Sequence, residues 1–218
     1  MVFYHSLERS MSEPFHFSAV EIARLHDRAT RLWHDDTFNI VVSTGHPIYD
    51  AVLAQHRANF DLWHTEDRAR APHATDADIA EVKRAIDRYN QTRNDLAEQC
   101  DAMLLEALPS KLPNQAADLA SESPGLMIDR LSILALKIFH TEEEIDRPNA
   151  PPGHTDRNSQ RLALLEEQRN DLVACLDQLW HDVLRAKRRF KIYRQLKMYN
   201  DPSLNPAVYR KLVKESGQ

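Results

Sequence analysis

Apolar residues recur at intervals of three and four along most of the chain, the spacing of one face of an α-helix. From Asp76 to about Leu108 that face is Ile79, Val82, Ile86, Tyr89, Leu96, Cys100, Met103 and Ala107. A later stretch repeats the rhythm with Leu162, Leu165, Leu172, Leu176, Leu179 and Val183. Shorter stripes run through Val52, His56, Phe60 and Trp63, and through Leu131, Ala135 and Phe139. Five helices are predicted. The first covers Ala19 to Asp35, opened by the capping-box pair Ser18 and Glu21. The second runs from Pro47, a residue suited to the first helical position, to Arg70. The third begins after Thr75, with Asp76 and Asp78 favoured by the helix dipole in its first turn. The fourth spans Met127 to Asp146. The fifth starts near Thr155 and meets no breaker before Pro202, so it is expected to continue through a basic stretch. The best strand candidate, Phe38 to Val42, is short and isolated.

Composition narrows the class without naming a chemistry. Only 4 Gly in 218 residues leave few turns, which disfavours an all-β fold. With 42% hydrophobic and 28% charged residues, and a mean hydropathy of -0.57, the chain reads as a soluble all-α protein. No apolar run reaches the roughly 18–20 residues needed to span a bilayer, so no membrane insertion is expected. Cys100 and Cys175 make neither a disulfide framework nor a zinc knuckle, and a reducing cytoplasm is the default. The breakers suggest an N-terminal helix and arm over 1–44, a helical bundle over 45–200 and a tail over 201–218.

Sliding the chain on itself by 76 residues aligns 59–108 with 135–184, with 11 of 50 positions identical. Leu62-Trp63-His64-Thr65-Glu66-Asp67 falls over Ile138-Phe139-His140-Thr141-Glu142-Glu143. Pro72 falls over Pro148, Arg93-Asn94-Asp95-Leu96 over Arg169-Asn170-Asp171-Leu172, and Asp101 over Asp177. Each segment reads as an αα-hairpin, and two hairpins with exposed apolar faces predict a four-helix bundle made by duplication.

Polar residues interrupt the apolar faces at matching places. Glu66 and Asp67 continue one stripe, Glu142 and Glu143 its counterpart, and Arg93 and Arg169 break two others. Such groups are costly on a core face unless paired or metal-bound. Three arrangements account for them. With the hairpin turns at opposite ends of the bundle, Glu66 meets Arg169 and Glu142 meets Arg93. Alternatively, the arginines with Asn94 and Asn170 line a pocket for an anionic ligand. With the turns at the same end, Glu66, Asp67, Glu142 and Glu143 cluster as metal ligands beside His64 and His140. Oxygen donors then favour magnesium over iron. The Glu-x-x-His of ferritin-like sites is absent, and His140-x-x-Glu143 is its reverse. His26 and His34 read as solvated surface.

The end of the fifth segment holds Arg185, Lys187, Arg188, Arg189, Lys191, Arg194 and Lys197 with no acid, in a chain of net charge -5. Interleaved with Phe190, Tyr193 and Tyr199 and running into Asn200, this stripe suits a phosphorylated, anionic ligand or a solvated helix end. With a pI near 6.1, nucleic acid is the weaker partner. No Walker loop, dinucleotide glycine motif, Ser-His-Asp order or Cys-x-x-Cys pair occurs.

Four motifs carry a family resemblance. They are Trp63-His64-Thr65-Glu66-Asp67-Arg68-Ala69-Arg70, Asn90-Gln91-Thr92-Arg93-Asn94-Asp95, Pro124-Gly125 with Ile128-Asp129-Arg130-Leu131-Ser132-Ile133-Leu134, and Tyr193-Arg194-Gln195-Leu196-Lys197-Met198-Tyr199-Asn200-Asp201-Pro202. Over about 45–206 the chain resembles a bacterial family of domains of unknown function. The resemblance transfers no catalytic residue. It implies a cytoplasmic bacterial protein and a partnership with glycosyltransferases of surface-polysaccharide pathways. The all-α nucleotide pyrophosphatases offer an analogy, echoed only by Glu98-x-x-Asp101. The expected function is therefore binding of a nucleotide or sugar nucleotide, through Arg93, Asn94, Arg169, Asn170, Tyr193, Arg194, Lys197, Tyr199 and Asn200. The alternatives are a magnesium-dependent phosphoester hydrolase using the four carboxylates, and a pure interaction module that pairs with a glycosyltransferase or with itself.

Overall fold

The computed structural model describes residues 17–35, 43–109, 116–196 and 203–206. Five helices, α1 (Ala19–His34), α2 (Pro47–Ala69), α3 (Asp76–Glu106), α4 (Pro124–Ile145) and α5 (His154–Leu184), make up nearly all of the regular structure. The protein is an all-α helical bundle. No described helix is long and apolar enough to cross a membrane. The strand candidate at 38–42 lies outside the described residues.

The capping signals act as their chemistry dictates. Ser18 Oγ accepts from the Glu21 N–H at 3.3 Å. Thr75 and Asp78 form a reciprocal capping box at the start of α3. Helix α4 begins three residues earlier than the periodicity suggests, because Ser123 caps it and Pro124 fills its first position.

The largest departure is at the end of α5. The helix stops at Leu184 instead of running through the basic stretch. Ala186 takes a left-handed backbone with φ 55. The Lys187 N–H then reaches back to the Asp182 carbonyl at 2.9 Å, and the Ala186 N–H to that of Val183 at 3.0 Å. This is a Schellman closure without its usual glycine, so the sequence carries no stop signal there. The chain continues as β2 (Arg188–Arg189), paired in parallel with β1 (Asp118–Leu119), and buries Phe190 in the core. Over the described residues 185–196 the basic segment is thus a turn, a short strand and irregular chain. An alanine held in the left-handed region costs roughly 1 kcal/mol. Ala186→Gly should therefore raise the unfolding free energy by about that amount, read from the urea midpoint.

Side-chain pairs fix the helix directions. Along α1 and α2, Glu21 meets Tyr49, Thr30 meets His56 and His34 meets His64. Along α2 and α4, Asn59 meets Ser132 and Trp63 meets His140. Helices α1, α2 and α4 are therefore parallel and mutually packed, with α3 and α5 antiparallel outside them. Helix α4, the most apolar of the five, touches all the others, whereas α3 and α5 do not touch each other. Helix α1 is thus a full member of the bundle, supplying Phe17, Ala19 and Ile22 to the core with Val52, Leu104, Ile128, Leu131, Leu176 and Trp180. Both hairpin turns lie at the same end.

Equivalent residues of the two hairpins make equivalent contacts. The Asp101 carboxylate accepts from the Gly125 N–H at the start of α4 (2.6 Å), and Asp177 from the Ala19 N–H at the start of α1 (2.7 Å). Each satisfies a backbone donor that a helix start leaves open. Arg93 on α3 pairs with Asp129 on α4, and Arg169 on α5 pairs with Asp27 on α1. Helix α1 stands to α5 as α4 stands to α3.

Candidate functional site

The pairings expected between hairpins, Glu66 with Arg169 and Glu142 with Arg93, do not form. With the turns at one end, each arginine lies far from the other hairpin's carboxylates. Arg93 Nε sits 3.3 Å from Asp129, and Arg169 Nη1 lies 2.9 Å from Asp27. Asn94 is half-buried and Asn170 exposed. Tyr193 and Arg194 are exposed on irregular chain after β2, while Lys197, Tyr199 and Asn200 lie outside the described residues. The four carboxylates form no common cluster and meet three different partners. Glu66 bonds Arg70 at 3.0 Å, Asp67 lies 3.8 Å from Arg70, Glu142 bonds Arg31 at 3.1 Å, and Glu143 bonds His140 at 2.7 Å.

What the parallel inner helices bring together is histidine. His34 ends α1, His64 lies near the end of α2 and His140 near the end of α4. One potential donor atom from each lies within 4.8 Å of the others, the sole such cluster among the described residues. The rings sit edge to face, with centroids 5.0 Å apart for His34 and His64, 5.0 Å for His34 and His140, and 5.7 Å for His64 and His140.

Two of the three rings are anchored by their other nitrogen. His34 Nδ1 lies 2.8 Å from the Thr30 carbonyl, and His140 Nδ1 lies 2.7 Å from a Glu143 carboxylate oxygen. Each contact requires Nδ1–H to donate, and in a neutral ring so held the lone pair is on Nε2. The Nε2 atoms of His34, His64 and His140 are all buried and without a hydrogen-bond partner. Aromatic side chains hold the rings in place. Phe139 stacks on His34 at 4.1 Å, Trp63 on His140 at 4.8 Å, and Phe60 meets His64 edge-on at 4.4 Å. Burial lowers the pKa of His34 and of His64, and the neighbouring imidazoles lower both further. Their neutral, lone-pair-bearing forms are favoured.

Below the histidines runs a buried polar network. Thr30 Oγ1 lies 2.9 Å from His56 Nε2, and His56 Nδ1 lies 2.7 Å from Ser132 Oγ. Asn59 Nδ2 donates to Ser132 and Asp129, each at 2.9 Å, and Gln55 Nε2 also donates to Asp129. The Asp129 pKa is raised by burial, with Arg93 and the amides pulling it partly back. His26, expected on the surface, is wholly buried, and its ring lies 4.5 Å from that of His56. Burial drives the His56 pKa down to about 3 and that of His26 well below the ordinary 6.5.

The sign of the pH effect follows from His56. Below about pH 6.5 the unfolded chain takes up a proton that the folded His56 refuses, so stability is lost as pH falls through that range. Wild type should lose about 2 kcal/mol more than His56→Gln between pH 7 and pH 5, read from paired denaturant titrations.

The histidine cluster was half legible. His64 and His140 stood beside a supposed carboxylate site, but His34 was set aside. A signal existed: Leu32-Trp33-His34 repeats Leu62-Trp63-His64 letter for letter, and Ile138-Phe139-His140 is its conservative echo.

Fold and site together define a helical protein with three parallel inner helices whose histidines converge at one end. The chain belongs to a family described as protein of unknown function (DUF4254), whose model matches residues 49–192. Helix α1, with His34, precedes that segment. No curated protein and no solved structure matches the chain.

Proposed function

We propose that this protein binds one divalent transition-metal ion through His34, His64 and His140. The observation that carries the reading is that His34, His64 and His140 each bring a ring nitrogen within 4.8 Å of the others, while the Nε2 atom of each is buried without a hydrogen-bond partner. A buried polar atom left unsatisfied costs about 1–3 kcal/mol, so three at one point are a poor way to hold a bundle together. A single ion satisfies all of them. Its distance to each nitrogen would be about 2.1 Å, within reach of small ring movements. The Thr30 carbonyl and the Glu143 carboxylate are outer partners of the kind that orient metal-binding imidazoles. Neutral nitrogen donors favour zinc, cobalt, nickel, copper or iron over magnesium. The magnesium hydrolase anticipated from Glu66, Asp67, Glu142 and Glu143 has less support, since each carboxylate already has a basic or imidazole partner.

Chelator-treated protein should bind one cobalt or zinc ion per chain and melt at a higher temperature when loaded, with no shift from magnesium. His64→Ala should weaken the affinity by about a hundredfold or more, whereas Glu66→Ala changes it little. A titration with no site, or one indifferent to His64→Ala, would falsify the reading.

A further inference from the structure

We infer that the ion carries an exchangeable anionic ligand, so that the centre serves to bind a phosphate or carboxylate group instead of merely stapling helices. This rests on the metal reading above and extends it to a ligand class.

Donor count is the first reason. Three imidazoles converge among the described residues, and a four-coordinate ion needs one ligand more. Charge is the second. Imidazoles are neutral donors, so the ion keeps both positive charges in a half-buried place. Glu143, on the far side of the His140 ring, offsets one of them. Glu142 is engaged by Arg31, and Glu66 and Asp67 by Arg70. These three are paired with arginines, and only Asp67 among them, with Asp61, also acts on His64. A cation short of counter-charge in such a setting attracts an anion.

Position is the third reason. Toward the bundle interior the cluster is closed by rings, with Phe60 edge-on to both His34 and His64 and Phe139 stacked on His34. The other side of the cluster is the end that holds the hairpin turns. Arg31, one turn before His34, and Arg70, the cap of α2, have side chains 61% and 67% exposed there. Arg31 meets Glu142 through Nη2, so its other N–H groups suit the outer oxygens of an oxyanion whose remaining oxygen reaches the ion. Binding is a ligand exchange in which water leaves the ion as the anion enters, with no change of oxidation state. The anionic, phosphorylated ligand suggested by the basic stripe at 185–198 thereby moves to the opposite end of α5.

The test uses the full chain loaded with cobalt, whose visible absorption reports its coordination. Inorganic phosphate, acetate and azide are titrated separately. We expect saturable spectral changes with phosphate or acetate at about millimolar concentration. The tighter of the two tells a phosphate ester from a carboxylate as the group recognised. Arg31→Ala should weaken that oxyanion by about fivefold, the loss of one charge-assisted contact. A response to azide alone overturns the oxyanion assignment. A cobalt spectrum unmoved by all three anions means that a protein atom completes the shell, which overturns this inference and leaves the metal centre standing. Failure to bind cobalt overturns both.

Discussion

Asp129→Ala should destabilise the protein by about 3–5 kcal/mol, the scale of breaking a buried ion pair from one side. Asp129 is 8% exposed and accepts from Gln55 and Asn59 while pairing with Arg93. Removing its carboxylate strands two amides and a guanidinium where water reaches them poorly. Its loss also loosens the Asn59–Ser132–His56 chain beneath the histidines. Glu66→Ala provides the contrast. Its bond to Arg70 is an exposed i,i+4 pair and should contribute well under about 1 kcal/mol. Urea unfolding of the two variants should separate their midpoints widely. Comparable, small losses would mean that the buried pair does not hold the helices together.

Gly125→Ala should cost about 3 kcal/mol or more, at the upper end for one added carbon. A Cβ at Gly125 would stand 2.2 Å from the Ala97 carbonyl oxygen and 2.9 Å from Asp101 Cγ. The first obstacle is backbone, which cannot rotate aside. Helices α3 and α4 would have to part, stretching the 2.6 Å bond from the Gly125 N–H to Asp101. Burial raises the Asp101 pKa to about 6, while Ser123 and the Gly125 N–H draw it part of the way down. The variant should melt earlier and show faster hydrogen exchange at the start of α4. A variant as stable as wild type would contradict the close crossing. By the same geometry, Pro124-Gly125 is a helix start pressed against a neighbour.

Helix class, the capping signals and the extents of α1, α2 and α3 were legible in the sequence, because they depend on residues within a few positions of one another. The matched polar residues of the two hairpins were legible too, as a pattern in want of partners. Naming those partners was beyond local reasoning. Arg93 and Arg169 have carboxylates within reach of either assumed arrangement, and the choice of Asp129 and Asp27 follows from three inner helices running parallel. That direction is set by packing across more than a hundred residues, with α1 returning to cap against Asp177. The end of α5 escaped for a different reason: Ala186 adopts a conformation for which its side chain gives no signal, held there by Phe190 in the core and by the β1 pairing. The histidine centre combines both lessons. His34, His64 and His140 each announce themselves in a repeated apolar-aromatic-histidine tripeptide, a property of sequence alone. Only the tertiary structure turns three such helix ends toward one point and brings their imidazole rings together, because convergence is decided by how helices pack and not by what any one of them contains.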